Sequence, residues 1–383
     1  MPIFDQGYQH WNGTLSGHAW RWLAVTRHGV RIGSKGIFLR IFLLLALVPA
    51  AVLVIAISIW GLIERNASFV SPLVTLLVSM NLLSPTVAAD PRHYRVEVWT
   101  MCYAFFHSME LTLSMVLILL VGPELISQDL RFNALPLYLS RPLRRIDYLA
   151  GKLGVIATFL GLVIIVPSLL AYALGLLFSL DLTILRDTYR LLFASLAYGL
   201  VIILSAGMLI LALSSLSRNS RYVALFWLAV WIISAVVGII LNVTDQNQRR
   251  QASYNRTMAA PAAPRAPDDP DSKNARKSRR MDSEQRRQAR ANFAKEEEEH
   301  SKTNWRPIVS YQANLSRIGS ELLGTEAAWK TLSALPIARG HRISDSESDT
   351  SYPWYWSGAV LAGLFVLSAG ILSLSVRSLD RLR

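Results

Sequence analysis

Residues 41–63, IFLLLALVPAAVLVIAISIWGLI, run for 23 positions without a charged side chain. A helix of that length rises about 1.5 Å per residue and covers the roughly 30 Å hydrocarbon core of a bilayer with slight tilt. About forty polar and basic residues precede this run, where a cleaved leader would carry only a short basic segment, so the run is expected to stay as an anchor. Pro49 inside it removes one backbone donor and crowds the preceding turn, which predicts a bend.

Further apolar runs of spanning length lie near residues 103–122, 154–180, 191–213, 222–243 and 355–376, each bordered by charge. They are about twice the length of a barrel strand and show no alternation of apolar and polar residues, so helices are predicted. With 52% of its residues hydrophobic and 17% charged, the chain carries more apolar surface than a water-soluble globule of this size tolerates. The fold class expected is an all-α membrane protein with six transmembrane helices. Its net charge of +13 flanks the spans, where anionic lipid is the nearer counter-charge. No nucleic-acid-binding motif accompanies the charge, so nucleic acid is not expected as a partner.

Lysine and arginine near the span ends set the orientation. Arg21, Arg27, Arg31, Lys35 and Arg40 precede span one, and no acidic residue lies between Asp5 and Glu64, which places the N-terminus in the cytosol. The basic residues between spans two and three, between spans four and five (Arg218, Arg221) and after span six (Arg377, Arg381, Arg383) agree, so both termini are expected in the cytosol of a multi-pass inner-membrane protein. Residues 69–83 are apolar but short and hold Pro72; counting them as a span would invert every later loop, so they read as an interfacial or re-entrant helix. Four parts follow: a basic segment over 1–40, spans one to five over 41–243, a large extracytoplasmic loop over 244–353, and span six with its tail over 354–383. Within the loop, about 248–300 is expected to be disordered, most clearly at residues 257–272, which are rich in proline, alanine and aspartate. Residues 273–300 read either as disordered or as a solvated helix. Order returns after Trp305, where Tyr311, Leu315, Ile318 and Leu322 recur at helical spacing, as a short helix on the outer leaflet or on its own bundle. Trp60, Trp99, Trp354 and Trp356 read as interfacial anchors.

The most informative stretch is GPELISQDLRFNALPLYLSRPLRRIDYLAGK, residues 122–152, between spans two and three. It mixes many leucines with Glu124, Asp129 and Arg131, and such a loop needs its own bundle, the membrane interface or a docked soluble partner to bury its apolar side chains. An acidic residue after span two, a leucine-rich turn, then Ser140-Arg141-Pro142, Arg145, Tyr148 and Gly151-Lys152 resemble the signature of ABC-2 type permease subunits. The six spans, the basic segment with Trp20 and Trp22, and the large region before the last span are similar to that family too; the insert at about 248–300 departs from it.

The resemblance implies a type V ABC exporter-like architecture in which the loop over 123–152 docks into a groove on a separate ATPase. Glu124, Asp129, Arg131, Arg141, Pro142, Arg145, Tyr148 and Lys152 would be the docking residues, with Pro142 ending the docking helix. It also implies two ATPase subunits holding ATP and magnesium, and a second permease copy or homologue as partner. Against it stands the plainer explanation that Arg141, Arg144, Arg145 and Lys152 obey the positive-inside rule.

Trp20–Arg40 reads either as an interfacial helix or as a basic tail. Inside span two, His107 and Glu110 share one face, either lining a translocation path or making a satisfied polar contact between helices. The chain lacks a phosphate-binding GxxxxGK[ST] loop, so it is not expected to be an ATPase or to bind a cofactor itself. Cys102, the one cysteine, excludes an internal disulfide. Two other classes stay open: a non-transporting scaffold subunit, suited by the long insert, and a membrane-embedded transferase on lipid-linked substrates, which would need convergent carboxylates or histidines.

Overall fold

The computed structural model describes residues 20–65, 68–80, 83–134, 144–179, 183–259, 303–335 and 352–378, and among these it is all-helical. Among the described residues, six helical stretches are long and apolar enough to cross a membrane, as in a multi-pass membrane protein. After α1 (Arg21–Gly33), span one is α2 (Ile37–Glu64), an unbroken helix despite Pro49. A 3₁₀ turn (Ser68–Val70), α3 (Ser71–Ser79) and α4 (Pro85–Ala89) lead to span two, α5 (Arg95–Val121), which α6 (Glu124–Arg131) follows directly. Span three is α7 (Arg145–Leu160), a π-helical turn (Gly161–Ile165) and α8 (Val166–Ser179), and span four is α9 (Thr183–Leu216). Span five is α10 (Ser220–Leu228), a second π turn (Ala229–Ile233) and α11 (Ser234–Ala259). A 3₁₀ turn (Arg306–Val309), α12 (Tyr311–Leu323) and α13 (Thr325–Ser333) precede span six, α14 (Trp354–Ser378).

Span four is the hub. Its apolar window is 56% buried against other helices, compared with 17% for span five and 22% for spans one and six. Small residues on α9 let neighbours close in: Ser195, Gly199, Ser205, Ala206, Gly207 and Ser214 all lie in its buried faces. Exposed leucines, valines and isoleucines on α2, α11 and α14 give those spans an outward apolar surface suited to lipid. Two apolar clusters fill the interior. One, toward the basic end where α1 and α6 lie, joins Met115, Leu125, Ile156, Ile210, Trp227 and Tyr311; the other, toward the far end, joins Trp60, Trp99, Tyr103, Phe106, Tyr172 and Leu323.

Several expectations change. Trp60 and Trp99 are core residues, 4% and 0% exposed, because spans one, two and three converge there and tryptophan supplies the volume to fill the gap. α11 runs on to Ala259, so residues 248–259 of the stretch read as disordered are helical; residues 260–300 lie outside the described residues. The basic N-terminal stretch forms a helix that packs on α7. Residues 71–79 form only a nine-residue helix, about 14 Å long and half of what a span requires.

The segment before span six does not lie on top of the bundle but enters it. Arg306 pairs with Asp245 (3.0 Å), whereas the Tyr311 backbone N–H donates to Ser234 Oγ (3.2 Å), so the chain descends about three turns of α11 between them. At the bottom, the Tyr311 hydroxyl and Ser205 Oγ are 2.9 Å apart, about 16 Å from Leu216 and so near mid-membrane depth. α12 then climbs back, passing Tyr198 at Gly319, and ends at Gly324 in the left-handed region (φ 70°), from which α13 starts along α5. Residues 303–335 are thus a re-entrant helical hairpin held by spans two, four, five and six.

Candidate functional site

At the basic end, α6 sits against α9 in a way fixed by one serine. Ser214 Oγ accepts from the backbone N–H groups of Ile126 (3.1 Å) and Ser127 (3.0 Å) and donates to the Pro123 carbonyl (2.9 Å). These are donors that a helix N-terminus leaves open, and burial would make them costly if unpaired. Leu125, Ile126 and Ser127 are buried on that side.

A second tie joins α6 to span three. Lys152 Nζ lies 2.6 Å from Asp129 Oδ2, the Tyr148 hydroxyl donates to the same oxygen at 2.7 Å, and the ammonium sits 5.4 Å from the centre of the Tyr148 ring. α7 begins at Arg145, eight or so residues before the apolar run, with the Arg144 N–H donating to Asp147 Oδ2 (3.1 Å) in a capping box. Arg145, Tyr148 and Lys152 are therefore in the first turns of span three, not in a loop. The sequence pattern overlooked this because charges in the first turns mask a helix whose apolar face is already turned inward.

Of the eight residues expected to dock a partner, three, Asp129, Tyr148 and Lys152, are brought together, but with one another. Glu124 and Arg131 are exposed on α6, Arg131 lying 5.6 Å from the Phe132 ring; Arg141 and Pro142 lie outside the described residues. Around them the surface is apolar: Phe132 is 72% exposed and Ile146 76%. Gly151 serves helix packing: a Cβ there would meet Val25 at 2.6 Å, and the Gly151 carbonyl accepts from Thr26 Oγ1 at 3.0 Å. A groove of about 890 Å³ separates α1 from α5 and α6, with Arg21, His28, Glu124, Gln128, Asp129 and Lys152 among its walls.

His107 and Glu110 face inward, 2% and 0% exposed. His107 Nε2 lies 2.8 Å from Ser195 Oγ on α9, its ring edge-on to Tyr198. It also borders an open cavity of about 990 Å³ between α5, α11, α12 and α13, with small residues such as Ser108, Gly238, Ser316 and Gly319 among its walls. Glu110 is not in that wall.

Sequence reasoning missed Ser195 and Ser214, for which a serine within an apolar run was the available signal, and it read the helix over residues 311–322 without its descent into the bundle. It also missed the far-end network, in which Arg95 donates to both oxygens of Glu64 (2.9 and 2.8 Å) and to Asp187 (3.2 Å). Among the described residues, no three His, Cys, Asp or Glu side chains are placed to share a metal ion. Comparison with protein-family models, curated proteins and solved structures finds no match to this chain.

Proposed function

We propose that this chain is the membrane-spanning permease subunit of an ABC-2 type transporter, an exporter whose ATP hydrolysis takes place on a separate polypeptide. The basic end faces the cytosol of the inner membrane, both termini lie there, and a second copy or a homologue completes the permease. The observation that carries the reading is the construction of that end. α6 is bound to span four through Ser214 and to span three through Asp129, Lys152 and Tyr148, while Arg131, Phe132 and Ile146 are exposed at its outer side and Glu124 and Gln128 face the groove beside α1. A handle tied on two sides and apolar on its open face transmits force to spans two, three and four once a soluble partner grips it. The family resemblance of residues 122–152 supplies the partner's class, an ATPase holding ATP and magnesium. His107, in the cavity wall, is the candidate for contact with the transported substrate.

The test is co-expression with a Walker-motif ATPase encoded by an adjacent open reading frame. The pair is expected to co-purify, and Glu124→Lys or Phe132→Asp should reduce the recovered ATPase at least several-fold without lowering the amount of chain in the membrane. If both variants hold the ATPase as the parent does, α6 is not the handle; if no ATPase associates with the parent, the permease reading itself falls.

A further inference from the structure

His107, Glu110 and Ser114 follow one another at spacings of three and four on α5, so they share its inner face over three successive turns. All three are buried, Glu110 and Ser114 completely. Nε2 of His107 is engaged by Ser195, yet His107 Nδ1, both carboxylate oxygens of Glu110 and Ser114 Oγ have no hydrogen-bond partner among the described residues. Four unpaired polar atoms in one seam, one pair of them a carboxylate, make an exception to the rule that buried polar groups are satisfied.

The bond to Ser195 also sets the register of α5 against α9. The two helices run in the same direction, so Glu110 is level with about Tyr198 and Gly199. Gly199 is where the π turn of span three closes on α9; a Cβ there would meet Ile165 at 3.2 Å and Ile164 at 3.3 Å. The carboxylate thus lies at the depth where span three departs from α geometry, a departure often found at functional sites.

The charged groups of the surrounding helices are elsewhere or already used. Glu64 of α2 and Asp187 of α9 are bound to Arg95 at the far end, and Lys152 of α7 is bound to Asp129 at the basic end. Arg317 of α12 is nearest in depth, and its guanidinium is taken by the Tyr352 carbonyl (2.7 Å) and Glu326 (3.1 Å). The titratable side chains beside His107 are the phenols of Tyr103 and Tyr198, with ring centroids 6.4 and 5.1 Å from its own. A carboxylate placed so needs a positive charge small enough to enter a closed site, and His107 connects the site to the 990 Å³ cavity.

We propose that Glu110 is a cation-binding carboxylate, occupied by a proton or an alkali-metal ion that enters from the cavity past His107, with His107 Nδ1 and Ser114 Oγ as its polar neighbours. The site stands on α5 and its packing against spans three and four and does not depend on the permease reading.

Two measurements on the purified full-length chain test it. The apolar reagent N,N′-dicyclohexylcarbodiimide adds to protonated carboxyl groups in apolar surroundings, and mass spectrometry locates the adduct. An adduct on Glu110, absent from Glu110→Gln, is expected. If the bound cation is a proton, its yield rises as pH falls and is equal in sodium chloride and choline chloride; if it is an alkali-metal ion, sodium chloride suppresses it several-fold relative to choline chloride. In parallel, the thermal midpoint of the parent should shift with the same cation, a shift that Glu110→Gln loses. The proposal is overturned if Glu110 stays unmodified at every pH and the parent's midpoint responds to neither cation beyond the response of Glu110→Gln. Should that variant fail to fold, an unmodified Glu110 together with a parent midpoint indifferent to both cations overturns it equally.

Discussion

Arg95 and Glu64 show what a single pair of residues can cost or contribute in this bundle. Both are almost fully buried, and the guanidinium meets the carboxylate with two parallel bonds of 2.9 and 2.8 Å, a geometry that lysine cannot reproduce. Removing the cation alone leaves a buried carboxylate without a counter-charge, which is typically worse than having no pair at all. Arg95→Met is therefore expected to lower stability by about 3–5 kcal/mol, read as a fall in the thermal midpoint in detergent. Arg95→Met combined with Glu64→Gln should recover part of that loss; a double variant as unstable as the single one would show that the helix ends depend on Arg95 for packing rather than for charge. Asp187, the half-exposed third member, contributes less, since solvent screens it.

Between elements, glycine decides how closely helices meet. α1 crosses α7 at Gly151 and Gly154, where an added Cβ would fall 2.6 Å from Val25 and 3.2 Å from a Thr26 methyl carbon respectively, so backbone approaches backbone and Thr26 Oγ1 reaches the Gly151 carbonyl. Gly151→Leu is expected to push α1 off span three at a cost of about 1–3 kcal/mol. The check is limited proteolysis: α1 should become cleavable while the spans stay protected, and an unchanged cleavage pattern would mean that α1 is held by other contacts. The sequence made the six spans legible because each is an apolar run of sufficient length, interrupted by charge only at Glu110 in span two, a signal that needs no knowledge of neighbours. It was poor at the span starts, where Arg95, Glu97, Arg145 and Asp147 extend helices beyond the apolar run; Arg95 there finds its partners, Glu64 and Asp187, far along the chain. It separated docking residues from internal ones badly for the same reason: Asp129 and Lys152 look alike as exposed charges until Tyr148 and α6 are placed beside them. The inward face of His107 and Glu110 was legible from spacing, whereas the lack of partners around Glu110 could emerge only from packing.

At the scale of the whole molecule, an even number of spans forces the two ends to one side, and the hairpin gives that arrangement an internal marker. Residues 303–335 leave span five at the far end, descend to the depth of Ser205 and return, so they must be approached from the side opposite α1 and α6. Six spans with a re-entrant hairpin and seven true spans make opposite statements about where the C-terminus lies, because a hairpin that crossed would carry span six with it. Replacing Cys102 by serine and introducing Ser34→Cys, Ser316→Cys or Ser378→Cys singly separates them. A membrane-impermeant thiol reagent is expected to reach Ser316→Cys, which borders the cavity, only from the far side, and to reach Ser34→Cys and Ser378→Cys only from the basic side. Labelling of positions 34 and 378 from opposite sides would break the six-span arrangement and the assignment of α6 to the same side as both termini. Labelling of position 316 from the basic side would instead leave the span count intact and show that the cavity opens toward the handle rather than away from it.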